Sequence, residues 1–200
     1  MVLNFYKNNT ILAPVKCGTR YLKECFGDES DIIPLHRLKG GLHHKTLNTI
    51  IIRSPYEHLE SALHTELLPI FAEGINTDKI ESMLKTFDVN WNYPEGGTHW
   101  SSTLYEKLYL YWSKNKRNIK IIELKELSNY LTTIQSELPI YNPQKYNFNH
   151  YDNWYSKDDI ILYVKENYKI VWNNLMKQIE ISNNWYQLLI TENPMDVKLI

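Results

Sequence analysis

At 200 residues, with a net charge of −1 and a pI near 6.7, the chain has room for one domain with a sizeable core and carries no global basic field. Extended nucleic-acid binding is thereby disfavoured, and any anion site must be local. No eighteen consecutive apolar residues occur, and no charged start leads into a long apolar run, so a soluble, cytoplasmic single domain over residues 1–200, with no membrane partner, is expected.

Met1 to Asn9 is a polar-flanked lead-in. Ile11, Leu12 and Ala13 then form a run too short and too uniformly apolar for a half-solvated strand, which predicts a central strand of a sheet covered on both faces. Lys16-Cys17-Gly18-Thr19 follows at once, ahead of a helical pattern through Tyr21, Leu22, Cys25 and Phe26. A glycine that admits close backbone approach, successive N–H groups at a helix N-terminus, a hydroxyl and a cation are what a phosphate or sulfate requires. A Walker A loop has a different order: here the lysine precedes the glycine and no earlier glycine opens the loop. The only cysteines, Cys17 and Cys25, lie about two helical turns apart, too far to pair, which fits a reducing compartment.

Ile32 to His36 reads as a second strand ending in a histidine, and a polar stretch with His43 and His44 leads to a third strand over Leu47–Ile52. Ser54, Pro55 and Glu57 match N-cap, N1 and N3 of a helix, a capping box. That local rule leaves Arg53 unexplained: a guanidinium at the end of a buried strand, beside a helix N-terminus, calls for an anion. Ser61 falls on nearly the same helix face as the cap. In an open parallel sheet ligands collect at the carboxyl ends of strands, where Lys16, His36 and Arg53 all stand.

From His64 to about Phe87 the spacing is helical and its apolar residues make core stripes. Asp88 to Trp100, with Trp91, Tyr93, His99 and Trp100, is an irregular aromatic loop that either stacks on a flat substrate or packs its own tryptophans. A helix over Leu104–Trp112, a fourth strand over Asn118–Leu124, a helix over Lys125–Leu138, a long loop over Tyr141–Ser156 and one amphipathic helix over Lys157–Ile179 complete the chain. The expected fold is α/β: a three-layer sandwich with a short parallel sheet of four strands, helices on both faces and a helix-rich C-terminal part.

Lys-x-Gly-Thr-x-x-Leu after a first strand, joined by Arg-x-Pro with a serine eight residues after the arginine, resembles the two cofactor-binding segments of the sulfotransferases that use 3′-phosphoadenosine-5′-phosphosulfate (PAPS). The resemblance implies a P-loop-NTPase-like topology, with Lys16, Cys17, Gly18, Thr19 and Arg20 at the 5′-phosphosulfate and Arg53 and Ser61 at the 3′-phosphate. It further implies PAPS as sulfuryl donor, PAP as product and no metal. The His99-Trp100 pair before a helix is similar to a segment of the carbohydrate members, so a glycan acceptor is expected at Trp91, His99 and Trp100. The family's catalytic histidine lies upstream of its phosphate-binding arginine, which points to His36 as the base, with His43, His44, Glu60 and His99 as alternatives. Lys16 would neutralise charge on the leaving oxygen. The chain departs from the cytosolic enzymes in lacking their Arg-Lys-Gly segment, for which Lys145 or Lys157 are substitutes, and residues 145–156 are the candidate lid over the adenosine. Two other function classes stay open: a nucleotide kinase or phosphohydrolase requiring Mg²⁺, and a non-catalytic PAP-binding adaptor.

Overall fold

The computed structural model describes residues 2–4, 10–14, 16–19, 21–22, 31–33, 48–88, 100–114, 119–133 and 155–192. Five strands, β1 (Val2–Asn4), β2 (Thr10–Leu12), β3 (Asp31–Ile33), β4 (Asn48–Ile52) and β5 (Ile119–Glu123), form one sheet in the order β3-β1-β2-β4-β5. β2, β4 and β5 pair in parallel, whereas β1 pairs antiparallel with both β2 and β3. The sheet is therefore mixed rather than a four-strand parallel sheet. Part of the polar-flanked lead-in forms β1, which lies between β2 and β3 and leaves the Ile32 segment at the edge. A three-residue strand gives no period for sequence reading to detect. Because two antiparallel steps restore direction, β3 still runs in the sense of β2, β4 and β5.

The apolar run of β4 alternates between two cores, as a strand buried on both faces must. Ile50 and Ile52 join Leu12, Ile119 and Ile121 in a large core beneath the helices. Ile51 joins Ile11, Ala13, Cys17, Leu22, Ile122 and Leu131 on the opposite face. The larger core is covered by α1 (Pro55–Ala72), α2 (Thr77–Asp88), α3 (Leu104–Lys114), α5 (Lys157–Asn167) and α6 (Lys169–Thr191), which supply Leu63, Leu84, Trp112, Val164 and Leu189 among others. The smaller is closed by α4 (Leu127–Thr133), reached through a 3₁₀ turn over Leu124–Glu126.

Two helices expected to be continuous are broken. Between α1 and α2 the chain turns at Gly74, whose φ of 99° is left-handed and whose N–H bonds to the Phe71 carbonyl at 3.2 Å, a glycine stop that apolar spacing alone overran. Between α5 and α6, Tyr168 leaves the helical region at φ −127° and ψ 50° and sends its hydroxyl to the Thr77 carbonyl at 3.3 Å. The helix after β5 begins as the 3₁₀ turn, becomes α4 and is described as far as Thr133. No described helix is long and apolar enough to cross a membrane.

Candidate functional site

The carboxyl ends of β2 and β4 are adjacent because the two strands pair in parallel, Leu12 opposite Ile50. The loop leaving β2 folds tightly: the Cys17 N–H returns to the Pro14 carbonyl at 2.9 Å, and Lys16 and Gly18 both take left-handed φ values, 65° and 80°. Lys16 is the only described non-glycine residue in that region, a conformation that persists where surrounding contacts hold it. A Cβ on Gly18 would stand 2.7 Å from Leu124 Cδ1 and 3.0 Å from Leu127 Cδ2. The glycine thus admits close approach to the 3₁₀ turn after β5, and the loop is seated over two parallel strands. Thr19, Tyr21 and Leu22 begin a helical turn, with the Leu22 N–H on the Gly18 carbonyl at 2.9 Å.

Arg53, first residue after β4, donates from Nη1 to the Lys16 carbonyl at 3.4 Å, joining the two predicted binding segments directly. Its Nε is buried and makes no hydrogen bond; Glu57 Oε2 stands 3.6 Å away, within range of an ion pair. With the Glu57 side chain 58% exposed, that pair is worth at most about 1 kcal/mol. The N-cap forms as expected, Ser54 Oγ accepting from the Glu57 N–H at 3.4 Å behind Pro55 at the helix start. The reciprocal half of the capping box does not, because the Glu57 carboxylate leans toward Arg53 instead. Lys16 Nζ donates to Thr65 Oγ1 at 2.7 Å, and Thr65 in turn donates to the Ser61 carbonyl at 2.9 Å. Lys16, Arg53 and the Ser61–Thr65 stretch of α1 therefore meet in one place. Cys17 lies beneath them, only 1% exposed, and burial pushes its thiol up to about 12 against the opposing pull of Arg53, so it is a packed thiol and not a nucleophile.

Four further side chains, Tyr105, His58, His64 and Glu123, bear on this corner. The Tyr105 hydroxyl donates to the Arg53 carbonyl at 2.6 Å, and His58 Nδ1 lies 3.1 Å from the same hydroxyl, both side chains buried. With the tyrosine proton committed to a carbonyl, Nδ1 is the donor in the second bond. His64, one turn after Glu60, has Nε2 buried without a hydrogen-bond partner. At the end of β5, opposite Ile52, Glu123 accepts a hydrogen bond from Tyr186 and pairs with Lys125 at 2.8 Å. Burial pushes the Glu123 carboxyl up, but the bonds from Lys125 and Tyr186 outweigh it and hold it below its ordinary value.

Of the residues expected to touch an acceptor, Trp100 is a core side chain, 2% exposed, donating from Nε1 to Gln178 Oε1 at 3.1 Å and meeting His58 edge-on at 5.5 Å between ring centroids. An indole so enclosed packs the loop's own end. Trp91, His99, the favoured base His36, its alternatives His43 and His44, Arg20, Lys145 and the candidate lid up to Trp154 lie outside the described residues. Glu60 is engaged by Lys157 at 2.9 Å. Thr65, His58 and Tyr105 escaped sequence reading, although Thr65 is one helical turn from Ser61 and could have been found on that face. Among the described residues no cluster of three or more His, Cys, Asp or Glu side chains is placed to hold a metal ion. A depression of about 480 Å³ between α1 and α2, lined by Ile70, Asp78, Lys79, Ser82, Met83 and Thr86, borders none of the candidate residues, and its lysine is paired with Glu73 at 2.9 Å.

The chain matches no protein-family model, no curated protein and no solved structure.

Proposed function

We propose that the chain is a PAPS-dependent sulfotransferase, moving a sulfuryl group to a hydroxyl or amine, with a carbohydrate as the preferred acceptor class. The observation that carries this reading is the junction of its two motifs: the Lys16 loop and Arg53 meet at the carboxyl ends of neighbouring parallel strands, linked by the 3.4 Å contact to the Lys16 carbonyl. The residues present fit an anionic ligand, because the Arg53 guanidinium keeps a buried Nε–H without a hydrogen-bond acceptor. On this reading the topology is P-loop-like, β2 carrying the loop that faces the 5′-phosphosulfate and β4 delivering Arg53 to the 3′-phosphate.

Sulfuryl transfer is an in-line displacement at sulfur with a loose transition state, so the protein mainly positions charge. In this scheme Lys16 would neutralise charge on the leaving bridging oxygen, and the backbone N–H groups of Gly18 and Thr19 with the Thr19 hydroxyl would hold the equatorial oxygens, the Cys17 N–H being committed to the Pro14 carbonyl. Ser61 shares the 3′-phosphate with Arg53. His36 accepts the acceptor proton in this scheme. Lys16 must exchange its bond to Thr65 for the ligand, a swap of one hydrogen bond for a charge-assisted one.

The test is thermal stability with PAP, AMP and ATP, each with and without Mg²⁺, followed by transfer from labelled PAPS to a panel of glycans. A ligand at 100 times its dissociation constant adds about 2.7 kcal/mol, a shift of a few degrees. Stabilisation by PAP without metal, together with transfer, is the expected result. Stabilisation only by ATP with Mg²⁺ turns the assignment to a kinase or phosphohydrolase, and PAP binding without transfer turns it to a non-catalytic PAP-binding module.

A further inference from the structure

Past Arg53, helix α1 carries a second set of polar groups that the proposed chemistry does not use. Glu60 and His64 are one turn apart, so their side chains lie on one helix face. Glu60 holds Lys157, the first residue of α5, at 2.9 Å. Thr65, the residue after His64, holds Lys16 at 2.7 Å. His64 is consequently bracketed by two lysines from different elements, Lys16 from the loop after β2 and Lys157 from α5. Its ring bonds to the main chain of Tyr155, just before α5, which leaves Nε2 buried and without a hydrogen-bond partner among the described residues. The charged groups set around it are thus Lys16, Lys157 and, on its own helix, Glu60, with Glu57 further back on α1 and Arg53 ahead of its start.

Burial, and after it the two lysines, hold the imidazole below its ordinary value of 6.5, opposed by the bond to Tyr155. At neutral pH the ring is therefore neutral. Burial is the larger cause, but a dianion arriving at Lys16 cancels part of the positive potential that adds to it.

We propose that His64 is a proton-linked positioning residue of the anion site: as an anion settles against Lys16, His64 takes up a proton from the solvent and becomes the third cation behind it. This rests on the reading of Lys16 as the anion-binding lysine. Linkage makes the effect reciprocal: whatever factor the anion adds to proton affinity, the proton adds to anion affinity. A shift of about one pH unit in His64 corresponds to about tenfold tighter anion binding by the protonated protein. Affinity then rises as the pH falls through the value His64 has in the complex and levels off below the value it has in the free protein.

The test is an NMR titration of histidine-labelled protein from about pH 5 to pH 8, with His64 assigned from a His64→Gln spectrum. It is run free, with inorganic sulfate, which stays dianionic throughout, and with PAP. The expected result is an upward move of His64 by about one unit with either ligand, and sulfate affinity that depends on pH in the wild type and is flat in His64→Gln. In the free protein, Lys157→Met should raise His64 by removing one of the two cations. Binding of either ligand with His64 unmoved overturns the coupling and leaves the sulfotransferase reading standing. Sulfate binding with the shift, but no binding of PAP, supports the coupling and retires the nucleotide reading; failure of both ligands to bind overturns both.

Discussion

Two charged residues end neighbouring strands of the same sheet and are treated in opposite ways. Glu123, at the end of β5, is closed off by Tyr186 and Lys125. Arg53, one residue past the end of β4, has a buried Nε–H without a hydrogen bond, a long bond to a strained loop and an ion pair to an exposed carboxylate. Buried polar groups are ordinarily satisfied, and the satisfied one is structural. The one left short of partners, beside a lysine held in a left-handed conformation, has the character of a place where a ligand completes the network. On the proposed reading, that difference is the one between a ligand site and a structural brace.

The largest effect is expected at the loop that Arg53 anchors. Gly18→Ala places a methyl against Leu124 and imposes a left-handed φ on an L-residue, and a loss of about 1–2 kcal/mol of stability is expected, read from the denaturation midpoint. Because the same change lifts the loop from its seat, PAP should no longer stabilise the variant. On the closed side, Tyr186→Phe removes one of the two bonds to Glu123 and should cost about 1 kcal/mol at neutral pH. A carboxyl held below its ordinary value of 4.5 contributes stability above that value and loses it as the pH falls through its folded value. Losing the tyrosine raises the folded value, so the gap between variant and wild type should narrow as the pH drops below about 4.5, with PAP binding unaffected. The smallest effect sharpens the open side: Glu57→Gln removes the carboxylate that competes for Arg53, and PAP affinity should rise by roughly threefold, consistent with an exposed ion pair worth less than 1 kcal/mol.

Much of this corner was legible because short motifs report local backbone demands. Lys16 and Arg53 follow the carboxyl ends of β2 and β4, as the sequence suggests, and Ser54 caps its helix. What escaped was long-range. Nothing near residue 53 announces that Tyr105, 52 positions on, will take its carbonyl, nor that β1 will divide the sheet. Trp100 stays ambiguous in the sequence because an aromatic-rich loop reads the same whether its rings face a ligand or the core; Gln178, on α6, which accepts its Nε1–H, is 78 positions away. Gly74 and Tyr168 show the opposite failure, in which apolar spacing runs through a single residue whose dihedrals end the helix.

The most direct measurement is titration calorimetry of PAP against the wild type, Arg53→Ala and Glu123→Gln at neutral pH without metal. If the open residue is the site and the closed one a brace, Arg53→Ala should weaken binding at least tenfold, the loss of a charge-assisted contact worth about 1.5–3 kcal/mol, while Glu123→Gln binds as the wild type does. Equal affinity in the wild type and Arg53→Ala, or loss of binding in Glu123→Gln alone, would contradict the account.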